Sequence, residues 1–475
     1  MVFNSTPYFI FLPVIYLIFY FTPDRWRWMV LLVGSYWFYA ALKAPYLLAV
    51  LFMVTCISYL CGLRIAAHRD EIVRKRWLGT GAIACLAVLA IFKYFPFLES
   101  RADTMFGLNS TLTQNLIGIG VSYYTFQAIS YLADIYLEFE EPEKHFGYYA
   151  LYLAFFPKLL QGPIERAGDL IVQLKNPYKF DYDLMRSGIL LFSLGLFKKA
   201  VVADRLALCA DKVFDNVHDY NGLSLLVGTY AYALQIYFDF SAYTDMARGT
   251  GRMFGINLAE NFKSPYLATS IADFWRRWHI SFSRWILDYI FKPLQMGWRG
   301  WGQAGTAAAL IITFLVSGLW HGATWGFVVW GLLHGIYLTI STYYRPHQKK
   351  LHQLLGLKKG PLLKWWQVFV TFNLVSFSWV FFRAASLEDA WYLLSNVAQL
   401  TISGVSGLLP TNQQGRLLVL ACVTLLVVAE IHPRVADQFK KLFSGKSRWL
   451  YYYLFAMLIL ICGLFGESEF IYGKF

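Results

Sequence analysis

The sequence predicts an all-α polytopic membrane protein, and three observations carry that prediction. Only 15% of the 475 residues are charged, while 57% are hydrophobic and 19% aromatic, and mean hydropathy is +0.45. A soluble domain usually carries roughly a quarter charged residues. Apolar runs long enough for a ~30 Å hydrocarbon core recur along the whole chain. Basic residues collect in short loops beside those runs, the pattern that marks cytoplasmic loops. The net charge of +13 therefore reports membrane orientation and not a nucleic-acid partner. The six cysteines (Cys56, Cys61, Cys85, Cys209, Cys422 and Cys462) lie in or beside apolar runs without metal-ligand spacing. They read as small buried residues, with no disulfide and no metal.

Phe9–Phe21, Trp26–Leu42 and Tyr46–Leu60 are read as three spans. The first follows no basic n-region and precedes no small-residue cleavage site, so it is expected to be retained. Arg64, Arg69, Arg74, Lys75 and Arg76 mark the next loop as cytoplasmic, which places the N-terminus outside. Leu78–Phe95 returns outward. Leu112–Tyr136 is a fifth span, whose Tyr123, Tyr124, Gln127, Ser130 and Asp134 must face protein or water. Phe146–Leu160 is short and ends in Pro157, Gly162 and Pro163, so a re-entrant segment is expected there, with Lys158, Arg166, Lys175 and Lys179 on the cytoplasmic side. Ile189–Val202 and Leu223–Phe240 follow, the latter leading into Asp239, Ser241 and Asp245. Two readings of these polar residues stand open: a cap on Arg248 or Arg252, or the wall of a hydrated cavity.

Ile271–Phe291 is expected to be one amphipathic interfacial helix, capped by Ser270 and Asp273. Its apolar stripe runs through Ile271, Phe274, Trp275, Trp278, Phe282, Trp285, Ile286 and Tyr289, with Arg277, Ser281, Arg284 and Asp288 opposite. His279 lies at the stripe's edge and is expected to point inward; a packed structural histidine is the alternative.

Ala307–Leu319 and Thr324–Tyr343 flank Gly318-Leu319-Trp320-His321-Gly322. Charges at 276–299 and at Arg345, Lys349, Lys350, Lys358, Lys359 and Lys364 put both outer ends inside, so His321 sits at a hairpin apex. The returning helix spans roughly 30 Å at ~1.5 Å per residue, so the apex lies deep in the membrane or near its outer face. An imidazole there needs a reason, and general base chemistry supplies one. His279 and His321 are expected to face each other, with a group passed between them. His334 is read as structural. Trp366–Phe382, Leu417–Glu430 and Leu450–Phe465 complete about twelve crossings, with Arg434, Lys440, Lys441, Lys446 and Arg448 inside and both termini outside. The chain is read as one integral-membrane domain, with 261–343 as its core and 366–475 as C-terminal spans and tail.

The opening MVFNS, the stretch YFDFSAYTDMARGTGRMFGINLAENF, the FWRRWHISFSRW segment, SGLWHGATWGFVVWGLLHG and the tail FIYGKF, in that order, resemble the membrane-bound O-acyltransferase family, in its bacterial alginate and exopolysaccharide O-acetylation branch. The resemblance covers essentially the full chain. It implies about 11–12 membrane helices, with re-entrant and interfacial helices, around a central funnel. It implies that His321 is catalytic and that His279 is the second signature position. Related proteins commonly end in FIYFQF; here Gly473 and Lys474 depart from that ending, and Tyr472 is a candidate acyl relay.

The expected reaction moves an acetyl group from cytoplasmic acetyl-CoA, its phosphates near Arg276, Arg277 and Arg284, to a hydroxyl on an extracytoplasmic accessory acetyltransferase protein, and so indirectly to an extracellular polysaccharide. No bound cofactor is expected, and the location is the bacterial cytoplasmic (inner) membrane. D-alanyl transfer to teichoic acid, a non-catalytic transporter or flippase, and a synthase scaffold are the competing readings.

Overall fold

The structure, a computed structural model, describes all residues except 43, 107–117, 177–178, 355–359, 400–404, 409–420, 425–427, 429–440, 442, 444, 446, 466–469 and 472–475. No strand occurs among the described residues. The helices are α1 (Thr6–Phe21), α2 (Arg27–Ala40), α3 (Tyr46–Ala67), α4 (Glu71–Phe106), α5 (Val121–Tyr136), α6 (Phe146–Ala154), α7 (Ala167–Lys175), α8 (Tyr182–Phe197), α9 (Asp204–Phe214), α10 (Gly222–Met253), α11 (Ile271–Trp275), α12 (Ile280–Ile286), α13 (Lys292–Gly297), α14 (Gly302–His321), α15 (Trp325–Leu354), α16 (Pro361–Arg383), α17 (Leu387–Asn396), α18 (Val405–Leu408) and α19 (Arg448–Cys462). Five described segments, Tyr46–Ala67, Glu71–Tyr94, Arg299–His321, Trp325–Tyr344 and Pro361–Arg383, are long and apolar enough to cross a membrane. α1 and α19 are apolar but shorter. Leu417–Glu430 and the basic residues Lys358, Lys359, Arg434, Lys440 and Lys446 fall wholly or mostly outside the described residues.

Contacts divide the chain into two compact units: Met1–Leu194 with Tyr243–Glu260 and Glu469–Phe475, and Gly195–Ala242 with Asn261–Ser468. In the first, α6 stops at Ala154, and every residue from Tyr149 to Glu165 is buried although 155–166 is not helical. Irregular backbone at this depth needs such cover, as a re-entrant segment requires. Lys158 is fully buried and faces protein; its ammonium donates to Gln127 Oε1 and lies 5.1 Å from the Tyr152 ring centre.

In the second unit, α14 and α15 form the hairpin that carries His321. Their backbones meet at Gly318 and Gly331. A Cβ on Gly318 would lie 2.3 Å from Phe327 O, and one on Gly331 would lie 2.3 Å from Phe314 O. Only glycine lets the two helices approach this closely. α10 corrects one expectation. It does not end at Phe240 but runs on to Met253, so Asp239, Ser241 and Asp245 lie inside a helix. After α8 comes a π-helical segment, Lys198–Ala203, a type of bulge that redirects a helix and often marks a functional site.

Replacing Gly331 with Val forces a side chain into the Phe314 carbonyl. The cost expected for overpacking is about 1–3 kcal/mol, read as a lowered unfolding temperature in detergent; an unchanged transition would mean the crossing is looser than described.

Candidate active site

The segment read as one helix is broken. α11 ends at Trp275, and His279 adopts left-handed backbone (φ 41°, ψ 56°) before α12 starts. No glycine or proline marks the break. Its cause lies 18 residues upstream in the fully buried Asn261, whose Oδ1 accepts from Ser281 N (3.0 Å) and Ser281 Oγ (2.8 Å), while Asn261 O accepts from Ile280 N (2.9 Å). Lys263 N donates to Arg277 O (3.0 Å), so chain 261–263 lies along the break and takes up hydrogen bonds that a continuous helix would have used.

His279 is 1% exposed, and its Nδ1 is 3.4 Å from the same Asn261 Oδ1. Because that oxygen accepts a backbone N–H, it is the carbonyl end of the amide, and Nδ1 must carry the proton. Nε2 is then the acceptor nitrogen. Burial pushes the imidazole pKa down to about 3, so the ring is neutral at physiological pH.

His321 ends α14, with extended Gly322 (φ 176°) as its C-cap. The ring is walled by Trp320 (4.4 Å between centroids), Trp330 (5.0 Å), Phe382 (5.0 Å), Phe282 (6.2 Å) and Phe327 (6.2 Å), and the residue is 3% exposed. Phe282 and Trp320 stack at 4.4 Å, and both also touch His279, at 5.1 and 6.4 Å. The two histidines therefore pack against one shared aromatic pair. His334 has both nitrogens engaged. Trp275 Nε1 donates to Nδ1 (3.2 Å), so Nε2–H donates to Ser378 Oγ (2.9 Å), whose hydroxyl donates to Val375 O (2.7 Å). It ties α11, α15 and α16 together and has no nitrogen left for chemistry.

The remaining predicted residues divide. Arg276 (3.6 Å) and Arg277 (3.1 Å) both approach Asp273, and Arg284 is exposed. Asp245 lies 4.0 Å from Arg248 in the first unit. Asp239 and Ser241 are buried in the second unit, where Lys199 Nζ bonds Asp239 Oδ1 (2.7 Å) and Asp204 Oδ1 (2.9 Å). The sequence reading missed Lys199, Asp204 and Asn261. A carboxylate at membrane depth demands a partner, and Lys199 within KKAVVAD was the available signal; nothing local pointed to Asn261. Tyr472 lies outside the described residues. Phe470, two residues before it, is 2% exposed and meets the Tyr243 ring edge-on at 5.2 Å in the first unit. Among the described residues no group of three His, Cys, Asp or Glu side chains is placed to hold a metal.

A helical membrane protein with two buried histidines on a shared aromatic pair, one of them at a hairpin apex, has the makings of a membrane group-transfer enzyme. Residues 142–384 match the family model of the membrane-bound O-acyltransferases. The chain is 40% identical over 402 residues to a probable alginate O-acetylase of Pseudomonas aeruginosa, covering 82% of this chain and 74% of the relative. It is 34% identical over 439 residues to a peptidoglycan O-acetyltransferase of Helicobacter pylori (85% and 80%), and 28% identical over 320 residues to a teichoic acid D-alanyltransferase of Bacillus subtilis (64% and 78%). The chain belongs to the membrane-bound O-acyltransferase family; it is a multi-pass membrane O-acyltransferase.

His279→Asn should keep the left-handed turn, which Asn tolerates, whereas His279→Val should be about 1–2 kcal/mol less stable than the Asn variant; thermal unfolding of the two proteins compares them. The depressed pKa has a sign. Below the unfolded value of 6.5 the unfolded chain binds a proton that the folded site refuses, so stability falls as pH drops from 6.5 toward about 3. His279→Asn should flatten that acid slope, and equal slopes would place the imidazole in a wetter setting.

Proposed function

We propose that the donor is cytoplasmic acetyl-CoA and that the acetyl group passes to a hydroxyl arriving from the extracytoplasmic side, for O-acetylation of an extracellular polysaccharide. His321 acts as general base. It takes the proton of the acceptor hydroxyl, the oxygen attacks the thioester carbonyl, the C–S bond breaks, and the proton passes on to the CoA thiolate. One observation carries this reading: the apex histidine and the histidine of the broken interfacial segment pack on the same Phe282–Trp320 pair, which gathers both imidazoles into one aromatic cluster.

The protonation of His279 favours positioning over oxyanion stabilisation. Its N–H points at Asn261, so the other nitrogen accepts a hydrogen bond from an N–H or O–H of a bound substrate and does not donate to a developing anion. Arg284, exposed, is the first choice for the donor's phosphates; Arg276 and Arg277 would have to share theirs with Asp273. Tyr472 remains the candidate acyl relay, and an extracytoplasmic accessory acetyltransferase the partner that finishes the transfer. The cytoplasmic (inner) membrane of a bacterium, with both termini outside, is the matching location. The alginate O-acetylase and peptidoglycan O-acetyltransferase relatives support acetyl over D-alanyl transfer.

Purified protein incubated with acetyl-CoA and a hydroxyl acceptor should release CoA, and His321→Ala, still folded but less stable for the cavity it leaves, should lower that rate by about 10²–10⁴-fold, the usual contribution of a general base. CoA release by the alanine variant at the wild-type rate would remove His321 from the mechanism.

A further inference from the structure

His321 is enclosed. A general base must come within roughly 2.6–3.2 Å of the proton it takes, yet the ring is 3% exposed among five aromatic side chains. One wall has to yield. Trp330 is fully buried and stacks on Trp379 at 5.9 Å, and Phe282 is 1% exposed and stacks on Trp320. Moving either unpacks the core of the hairpin. Phe327 is different. It sits in the first turn of α15, its N–H donating to Thr324 O (3.2 Å), beside exposed Thr324 and Trp325 at the hairpin tip. It meets Phe382 edge-on at 4.9 Å, and its ring rests on Gly322. A Cβ at Gly322 would lie 2.4 Å from Phe327 Cε2 and 2.6 Å from Cδ2. Gly322 has extended backbone that any residue adopts, so the only demand for glycine there is room for that ring.

We propose that the Phe327 ring, seated on Gly322, is the specificity-determining seal of the site: it governs which hydroxyl reaches His321 from the hairpin tip, admitting the acceptor and excluding water. The inference rests on the acyl-transfer reading, in which a thioester held beside a general base is exposed to hydrolysis. Water would add through its oxygen to the carbonyl carbon, the C–S bond would break, and acetate and CoA thiol would leave. Shielding reactive groups from water is a recognised function of closed sites.

The test uses full-length protein in detergent, diethyl pyrocarbonate as the probe, and mass spectrometry to read carbethoxylation at each histidine, with exposed His218 as internal reference. Phe327→Ala removes the ring, and Gly322→Ala displaces it. Both should raise His321 labelling severalfold and raise CoA release from acetyl-CoA in the absence of any acceptor. Gly322→Ala should add nothing in the Phe327→Ala background, and Phe327→Leu, which refills most of the space, should return labelling toward the wild-type rate. Equal His321 labelling in wild type and both alanine variants overturns the proposal. So does labelling that spreads to fully buried His334, since that reports general loosening. Raised labelling with no change in CoA release supports the seal and counts against acetyl-CoA as donor, which separates the two claims.

Discussion

Backbone-to-backbone contact between α14 and α15, at Gly318 and Gly331, is the constraint on which the rest of the site depends. Two helices this close leave no room for side chains at the crossing, so the large rings are displaced to its flanks. There Phe314, Trp320, Phe327 and Trp330 build the walls around the apex imidazole and its neighbour His334. Aromatic rings suit this task because they bury much area while losing little conformational freedom and pack edge to face in many orientations. The result is an imidazole held among packed aromatic rings at the tip of the hairpin.

Buried polarity is handled differently at each place it occurs. Asn261 uses its side chain to terminate one helix and orient His279. His334 spends both nitrogens joining three helices. Lys199 bridges Asp239 and Asp204, and removing one partner from such a buried group typically costs about 3–5 kcal/mol. These arrangements mark the groups as structural. His321 differs in its place: it closes α14 at the hairpin apex, among large aromatic rings.

Much of this was legible in the sequence. The hairpin and its apex histidine followed from Gly318 and Gly322, and the end of the helix before a buried irregular stretch followed from Pro157, Gly162 and Pro163. The break at His279 was not legible. An apolar stripe with helical spacing continues through Trp278 and Phe282, and the residue that interrupts the helix is Asn261, distant in sequence. The length of α10 was misjudged for the opposite reason: Asp239 and Asp245 looked like the end of a span, but one is neutralised by Lys199 and the other lies near Arg248. Arg276 and Arg277 looked available for a ligand's phosphates because Asp273 was read only as a cap, although its spacing to them is that of helical ion pairs.

The central claim is that one small acyl group fits beside His321 within reach of His279. An experimental structure of the full chain with a non-hydrolysable thioether analogue of acetyl-CoA tests it most directly. The account predicts the analogue's carbonyl carbon near His321, leaving an incoming hydroxyl roughly 3–3.5 Å from it, with His279 in contact with the same ligand. An analogue bound with its acyl end away from both imidazoles would contradict the account.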